Sequence, residues 1–171
     1  PTGITGPTGP TGIPETVFGN FYINVFPITQ PVYVDVPPDS IIPLDTASED
    51  TSTNFTLAAG QITIPTNGIY LISFSFTVPP ANAMNIIIRQ NENRLNPIEV
   101  MAQGTSDSLS NGSGTGVHRL YKGDKIDLYR ATFGLTGVTT QQIGAVLLVN
   151  PNNNQYIVNY PALLTLVKIA D

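Results

Sequence analysis

Few residues of this chain have the types and spacing that catalysis requires. The sequence holds one histidine, His118, and no cysteine, so a zinc site built from several histidines or cysteines and a thiol nucleophile are both excluded. Serines and aspartates are available as partners for His118, but no Gly-x-Ser-x-Gly turn presents a serine nucleophile. We therefore predict that His118 is an ordinary histidine near the end of a strand and that the protein is not an enzyme.

Oxygen ligands for a metal ion occur together in one polar loop. Asp45, Glu49 and Asp50 carry the hard oxygens that calcium favours. Their positions lack the regular ligand spacing of a dedicated calcium loop, so a solvated turn is the preferred interpretation. We predict no metal site and no cofactor.

The charge of the chain argues against two classes of partner. The formal net charge is −5, and lysine and arginine are not clustered anywhere. Nucleic acids and anionic membranes are bound by clustered basic residues, and no apolar stretch is long enough to span a bilayer. We expect neither a nucleic-acid partner nor membrane insertion.

The first 14 residues repeat glycine at every third position, at Gly3, Gly6, Gly9 and Gly12. In a collagen triple helix only glycine fits at the crowded axis, so this period indicates three parallel chains. A flexible linker rich in proline and glycine is the alternative, but it would show no fixed period. We predict a collagen-like stub at residues 1–14, the end of a longer stalk, and a homotrimer.

Threonine occupies the third position of three successive triplets, as Thr5, Thr8 and Thr11. Side chains at this position of a triple helix point into solvent, where their hydroxyls can carry O-linked sugar. Threonine is also simply tolerated there as an outward residue. The sequence leaves both interpretations open, so the three residues are candidate O-glycosylation sites.

The remaining residues, 15–171, have the composition of a single all-β domain. Charged residues make up 11% of the chain, against about 25% in an average globular protein, and no helical period appears. Short alternating segments are separated by Pro, Gly and Asn, which indicates a sandwich or barrel. We predict a jelly-roll β-sandwich, with strands at residues 17–26, 31–38, 41–44, 55–57, 61–64, 69–78, 84–90, 117–121, 125–133, 144–149 and 163–169.

The clearest alternation occurs at residues 69–78. Tyr70, Ile72, Phe74 and Phe76 point to one side, and mostly small or hydroxyl residues point to the other. We expect these four residues to form the centre of the core. Residues 104–116, rich in Gly, Ser and Asn, fit a mobile loop or a poorly patterned edge strand, and the sequence does not decide between them.

Three segments resemble the heads of complement C1q and of tumour-necrosis-factor-like proteins. Residues 64–74 contain the Gly-x-Tyr-x-x-x-Phe strand of that family, residues 120–128 its Leu-x-x-Gly-Asp turn and strand, and residues 163–169 its terminal strand. The terminal strand departs from the animal proteins because it lacks an aromatic residue. With the Gly-Pro-Thr triplets, the nearest resemblance is to collagen-like glycoproteins of the bacterial spore exosporium. The resemblance implies a trimeric jelly roll.

A trimer needs residues that contact the neighbouring copies. Tyr22, Tyr129 and Phe133 are predicted to do so, because alternation places them opposite the in-domain core residues Ile126 and Leu128. We regard these three aromatic residues as the candidate trimer interface.

The sequence favours a structural and interactive function. The leading hypothesis is the trimeric C-terminal head of a collagen-like filament on a bacterial spore or cell surface, which would nucleate stalk trimerisation and mediate surface contact or adhesion. Its partners would be itself, other spore-coat or surface proteins, or glycans. A receptor-binding tip of a phage tail fibre is the alternative. The third hypothesis is a head that binds or cleaves glycans. Glycan cleavage is less favoured than glycan binding, since the sequence shows no pair of carboxylates at a set separation.

Overall fold

The predicted all-β sandwich is confirmed. A computed structural model describes residues 17–25, 32–52, 54–105, 107–133, 138–149 and 156–171. These residues form fourteen strands, and none of them belongs to a helix that could cross a membrane. The collagen-like stub, with its four glycines and three threonines, lies outside the described residues.

The strands assemble into three antiparallel sheets. One has five strands in the order β10-β7-β14-β1-β4, and a second has the order β5-β6-β11-β8-β9 with β3 also paired to β11. The third has the order β13-β12-β2. In chain order the strands are β1 (Phe18–Tyr22), β2 (Val32–Val36), β3 (Ser40–Ile41), β4 (Thr46–Ala47), β5 (Thr56–Ala58), β6 (Gln61–Thr63), β7 (Gly68–Val78), β8 (Ala83–Gln90), β9 (Asn93–Gln103), β10 (Ser110–Leu120), β11 (Lys125–Arg130), β12 (Gln141–Val149), β13 (Tyr156–Asn159) and β14 (Ala162–Ala170).

The core lies between the five-stranded and six-stranded sheets. Strand β7 supplies three of its four large aromatic side chains, because every second residue of a strand faces the same side, and Phe21 of β1 supplies the fourth. Tyr70, Ile72, Phe74 and Phe76 are all at most 2% exposed. The Tyr70 hydroxyl donates to the Thr66 carbonyl at 2.8 Å, so the one polar group of this row is satisfied. The six-stranded sheet contributes apolar residues to the same cluster, among them Ile86, Ile88, Ile126 and Leu128.

The glycine-rich segment that the sequence left undecided is largely a paired strand. Strand β10 runs antiparallel to β7, with Gly112 opposite Phe76 and Gly114 opposite Phe74. A Cβ atom at Gly112 would lie 2.3 Å from the Phe76 ring, and one at Gly114 would lie 2.6 Å from the Phe74 ring. The glycines are therefore required because the two aromatic rings occupy the space where a side chain would project.

The Gly123-Asp124 turn is fixed by the carboxylate of Asp124. Gly123 has a φ of 92°, a conformation that glycine adopts readily. The Asp124 carboxylate accepts hydrogen bonds from the Tyr121 N–H, the Gln90 amide and the Asn91 amide. Burial by itself raises the pKa of Asp124, but these three hydrogen bonds outweigh it and hold the pKa below its usual value. One carboxylate thus joins this turn to the turn between β8 and β9.

Replacing Asp124 with asparagine should lower the free energy of unfolding by about 2 kcal/mol at neutral pH, because charge-assisted hydrogen bonds are lost. A carboxylate with a lowered pKa stabilises the fold above its unfolded-state pKa, and the contribution is lost as the pH falls through the folded-state value. The difference between wild type and variant should therefore shrink toward pH 3. Urea unfolding at both pH values measures it, and a difference that does not change with pH would contradict the assignment.

Candidate functional site

The outer face of the five-stranded sheet carries a continuous line of apolar residues. Strand pairing places Phe18 opposite Val167, Val167 opposite Leu71, and Leu71 opposite Val117. We call these four residues the apolar row. Phe18, Leu71 and Val167 are half-buried, whereas Val117 on the edge strand is 55% exposed. The row lies on the side of the sheet away from the core and exposes apolar surface that an oligomer could bury.

The next row on this face is polar, and its members bond to one another. Asn20, Thr165, Ser73 and Thr115 follow across the same four strands. The Thr165 hydroxyl donates to Asn20 Oδ1, and the hydroxyls of Ser73 and Thr115 lie 3.2 Å apart. Because the three hydroxyls and Asn20 Oδ1 already have hydrogen-bond partners within the row, covering the row costs less than covering unpaired polar groups.

The apolar row lies at the end of the sheet where the chain enters the domain. Phe18 is the first residue of β1, and the carbonyl of the preceding Val17 accepts a hydrogen bond of 2.8 Å from the Lys168 N–H. Ile169, near the end of β14, is 54% exposed beside this region of the chain. A contact through the apolar row would therefore bring together the points at which neighbouring chains enter their heads.

The three aromatic residues predicted as trimer contacts lie in different parts of the sandwich. Tyr22 is on the outer face of the five-stranded sheet, and its ring centroid is 4.5 Å from that of Tyr160. Burial is the main cause that raises the pKa of Tyr22, with smaller contributions from Tyr160 and nearby acidic residues, so the phenol is neutral near pH 7. Tyr129 is on β11 of the six-stranded sheet, and Phe133 follows the end of that strand. The structure does not bring the three together, and their role as contacts stays a prediction.

His118 lies within β10, opposite Tyr70 of β7. Its Nε2 atom is buried without a hydrogen-bond partner, and burial lowers the pKa of the imidazole. Among the described residues, no side chain is hydrogen-bonded to Nε2.

In the acidic loop, the carboxylate of Asp45 accepts two local hydrogen bonds. Asp45 Oδ1 accepts from the Asn24 N–H at 2.8 Å and from the Thr46 hydroxyl at 2.9 Å. Within the part of the chain that the structure describes, no group of three or more His, Cys, Asp or Glu residues is arranged to hold a metal ion. The two hydrogen bonds of Asp45 are typical of a carboxylate that stabilises a turn.

The sequence matches the C1q domain family over residues 28–146, more than half of the chain, so the chain belongs to this family. Solved structures with the same fold include Eiger, a TNF of S. frugiperda, which has 15% identity and a TM-score of 0.65 with 91% of this chain and 94% of that chain covered. The globular domain of zebrafish complement 1qA has 14% identity and a TM-score of 0.58, with 89% and 96% covered. Murine APRIL has 11% identity and a TM-score of 0.54, with 91% and 100% covered. A search of curated proteins found no match.

Proposed function

We propose that this chain is the trimeric C-terminal head of a collagen-like filament on the surface of a bacterial spore or cell. Domains of the C1q and TNF-like type are generally structural or ligand-binding modules rather than enzymes, and they are typically extracellular. Homologues of this family form homotrimers. The glycine period of residues 1–14 independently favours three parallel chains.

The observation that carries this proposal is the apolar row and its position. A cyclic trimer in which each copy covers the exposed Val117 end of a neighbour's row would remove apolar surface from water. The same contact would gather the three chain entries at Val17, as a triple-helical stalk requires. The head would then set the register of the stalk, and its remaining surface would meet other surface proteins or glycans.

Immunogold labelling of intact bacterial spores and cells, with an antibody raised against residues 15–171, tests the proposed location. The structural role predicts gold particles along the outermost layer of the spore or the cell. Labelling confined to phage particles would contradict the proposal and favour the tip of a tail fibre, which also combines a collagen-like stalk with a trimeric β head. Pre-incubation of the antibody with the purified head is the control.

A further inference from the structure

Phe133 is held in a backbone conformation that a bulky residue rarely adopts. Its φ is 51°, in the left-handed region, and its side chain is 54% exposed. Strain of this kind persists only when the surrounding structure enforces it, and it is concentrated at binding sites. The backbone here directs an aromatic ring outward rather than into the core.

Arg94 lies beside this ring and links it to two polar side chains on the outer face of the six-stranded sheet. The Arg94 guanidinium carbon is 5.3 Å from the Phe133 ring centroid, and Arg94 forms an ion pair with Glu99. Glu99 Oε1 also accepts a hydrogen bond of 2.8 Å from the Asn85 side-chain amide. Asn85 Oδ1 is buried and has no hydrogen-bond partner among the described residues. The surface group therefore combines an exposed ring, a donor and a carboxylate acceptor.

A second arginine–aromatic pair on the same face belongs to a cluster that is closed to solvent. The Arg89 guanidinium lies 3.7 Å from the Tyr129 ring centroid and forms two hydrogen bonds with Asp127, whose side chain is 1% exposed. Gln61 donates to the same carboxylate at 3.0 Å. Asp127 is enclosed by its partners, so this cluster is structural. The Phe133 cluster differs because its ring is exposed and the side chains of its ion pair are also partly exposed.

We propose that Phe133, Arg94 and Glu99 bind one pyranose ring of a glycan. The apolar C–H face of a sugar packs against an exposed aromatic ring, and adjacent hydroxyls both donate and accept hydrogen bonds. Arg94 supplies the donor and Glu99 supplies the acceptor, and both side chains are partly open to solvent. Because Glu99 neutralises Arg94, the cluster has no net charge and suits a neutral sugar. This inference deepens the proposed role in surface contact, although the site is formed by a single copy of the chain.

The two methionines of the chain provide a direct test by NMR. Met101 is 73% exposed and lies opposite Asn85 on the neighbouring strand, whereas Met84 is 1% exposed in the core. The full chain with isotope-labelled methionine methyl groups would be titrated with the methyl β-glycosides of glucose, galactose and N-acetylglucosamine. We expect at least one sugar to shift the Met101 signal saturably while the Met84 signal stays in place. A dissociation constant on the order of 1–10 mM is expected for a single ring.

Two variants make the test specific. Phe133→Ala should weaken the binding at least tenfold, whereas Tyr33→Ala, which removes a 45% exposed tyrosine from β2, should leave it unchanged. Absence of a saturable shift with all three sugars, or an equal shift in the Phe133→Ala variant, would overturn the inference. Light scattering on the same samples reports the oligomeric state separately. A trimer that binds no sugar would overturn the glycan site alone, and a monomer that binds sugar would overturn the trimer alone.

Discussion

Replacing Val117 with aspartate is expected to convert the proposed trimer into monomers. Val117 is the exposed member of the apolar row and lies on the edge strand of its sheet. In a trimer the substitution would bury three carboxylates without partners, and each buried unpaired charge costs several kcal/mol. The isolated head should tolerate the change, because a side chain that is 55% exposed contributes little to the core.

Met101→Asp is the matched control for this experiment. It places the same charge on an exposed apolar position of an edge strand, but on the six-stranded sheet. Both variants are measured by light scattering at about 10 µM, a concentration suited to micromolar affinities. We expect the mass of one chain for Val117→Asp and the mass of three chains for Met101→Asp. A trimeric Val117→Asp variant would show that the apolar row is not the contact between copies.

Replacing Gly112 with alanine is expected to destabilise the domain by about 3 kcal/mol, the upper part of the usual range for overpacking a core. The added Cβ would lie 2.3 Å from the ring of Phe76, which is 1% exposed and cannot move without displacing its neighbours. For a chain of this length the loss corresponds to a fall of roughly 10 °C in melting temperature. A thermal melt followed by circular dichroism measures it.

Ser113→Ala on the same strand is the control, since Ser113 points away from the core and is exposed. Its melting temperature should stay within about 2 °C of wild type, because surface substitutions change stability by at most about 0.5 kcal/mol. All samples are compared at one protein concentration, because the stability of an oligomer depends on concentration. Equal melting temperatures for the two variants would show that the ring contact does not constrain Gly112.

A strand could be predicted from the sequence where all residues on one of its sides are large. Strand β7 alternates large and small residues along its length, so the observed strand, Gly68–Val78, extends the predicted segment at residues 69–78 by one residue. The turn before β11 could also be predicted, because Gly123 and Asp124 are residue types that favour a tight turn. In both cases the pattern is local and needs no knowledge of the partner strand.

Strand β10 was only partly predictable because its inward positions are glycines. Gly112 and Gly114 give no hydrophobic signal, and their role depends on Phe76 and Phe74 of a strand more than thirty residues earlier. Strand β9 was not predicted either, since its alternation is interrupted where the pairing with β8 shifts register between Ile87 and Arg89. Features that depend on a distant neighbour are not visible in a local pattern.

The candidate sites were less predictable than the fold, for the same reason. Alternation alone places Tyr22 and Tyr129 opposite the core, but it does not say on which sheet each residue lies. The apolar row joins four strands that are distant in the chain, so only the observed register reveals it. The exposed Phe133 ring depends on a positive φ, for which an aromatic residue gives no signal in the sequence.

The mass of the head without its collagen-like stub is the most direct test of the claim that the head drives trimerisation. Four glycine triplets carry few interchain hydrogen bonds, and ordering each residue costs about 1–2 kcal/mol in conformational entropy. The head can instead bury apolar surface between copies, at about 25 cal/mol per Å². Light scattering on residues 15–171 should give three chains, as for the full chain, whose single-chain mass is 18.3 kDa. A monomeric mass for residues 15–171, beside a trimeric mass for residues 1–171, would show that the stalk is the trimerising element.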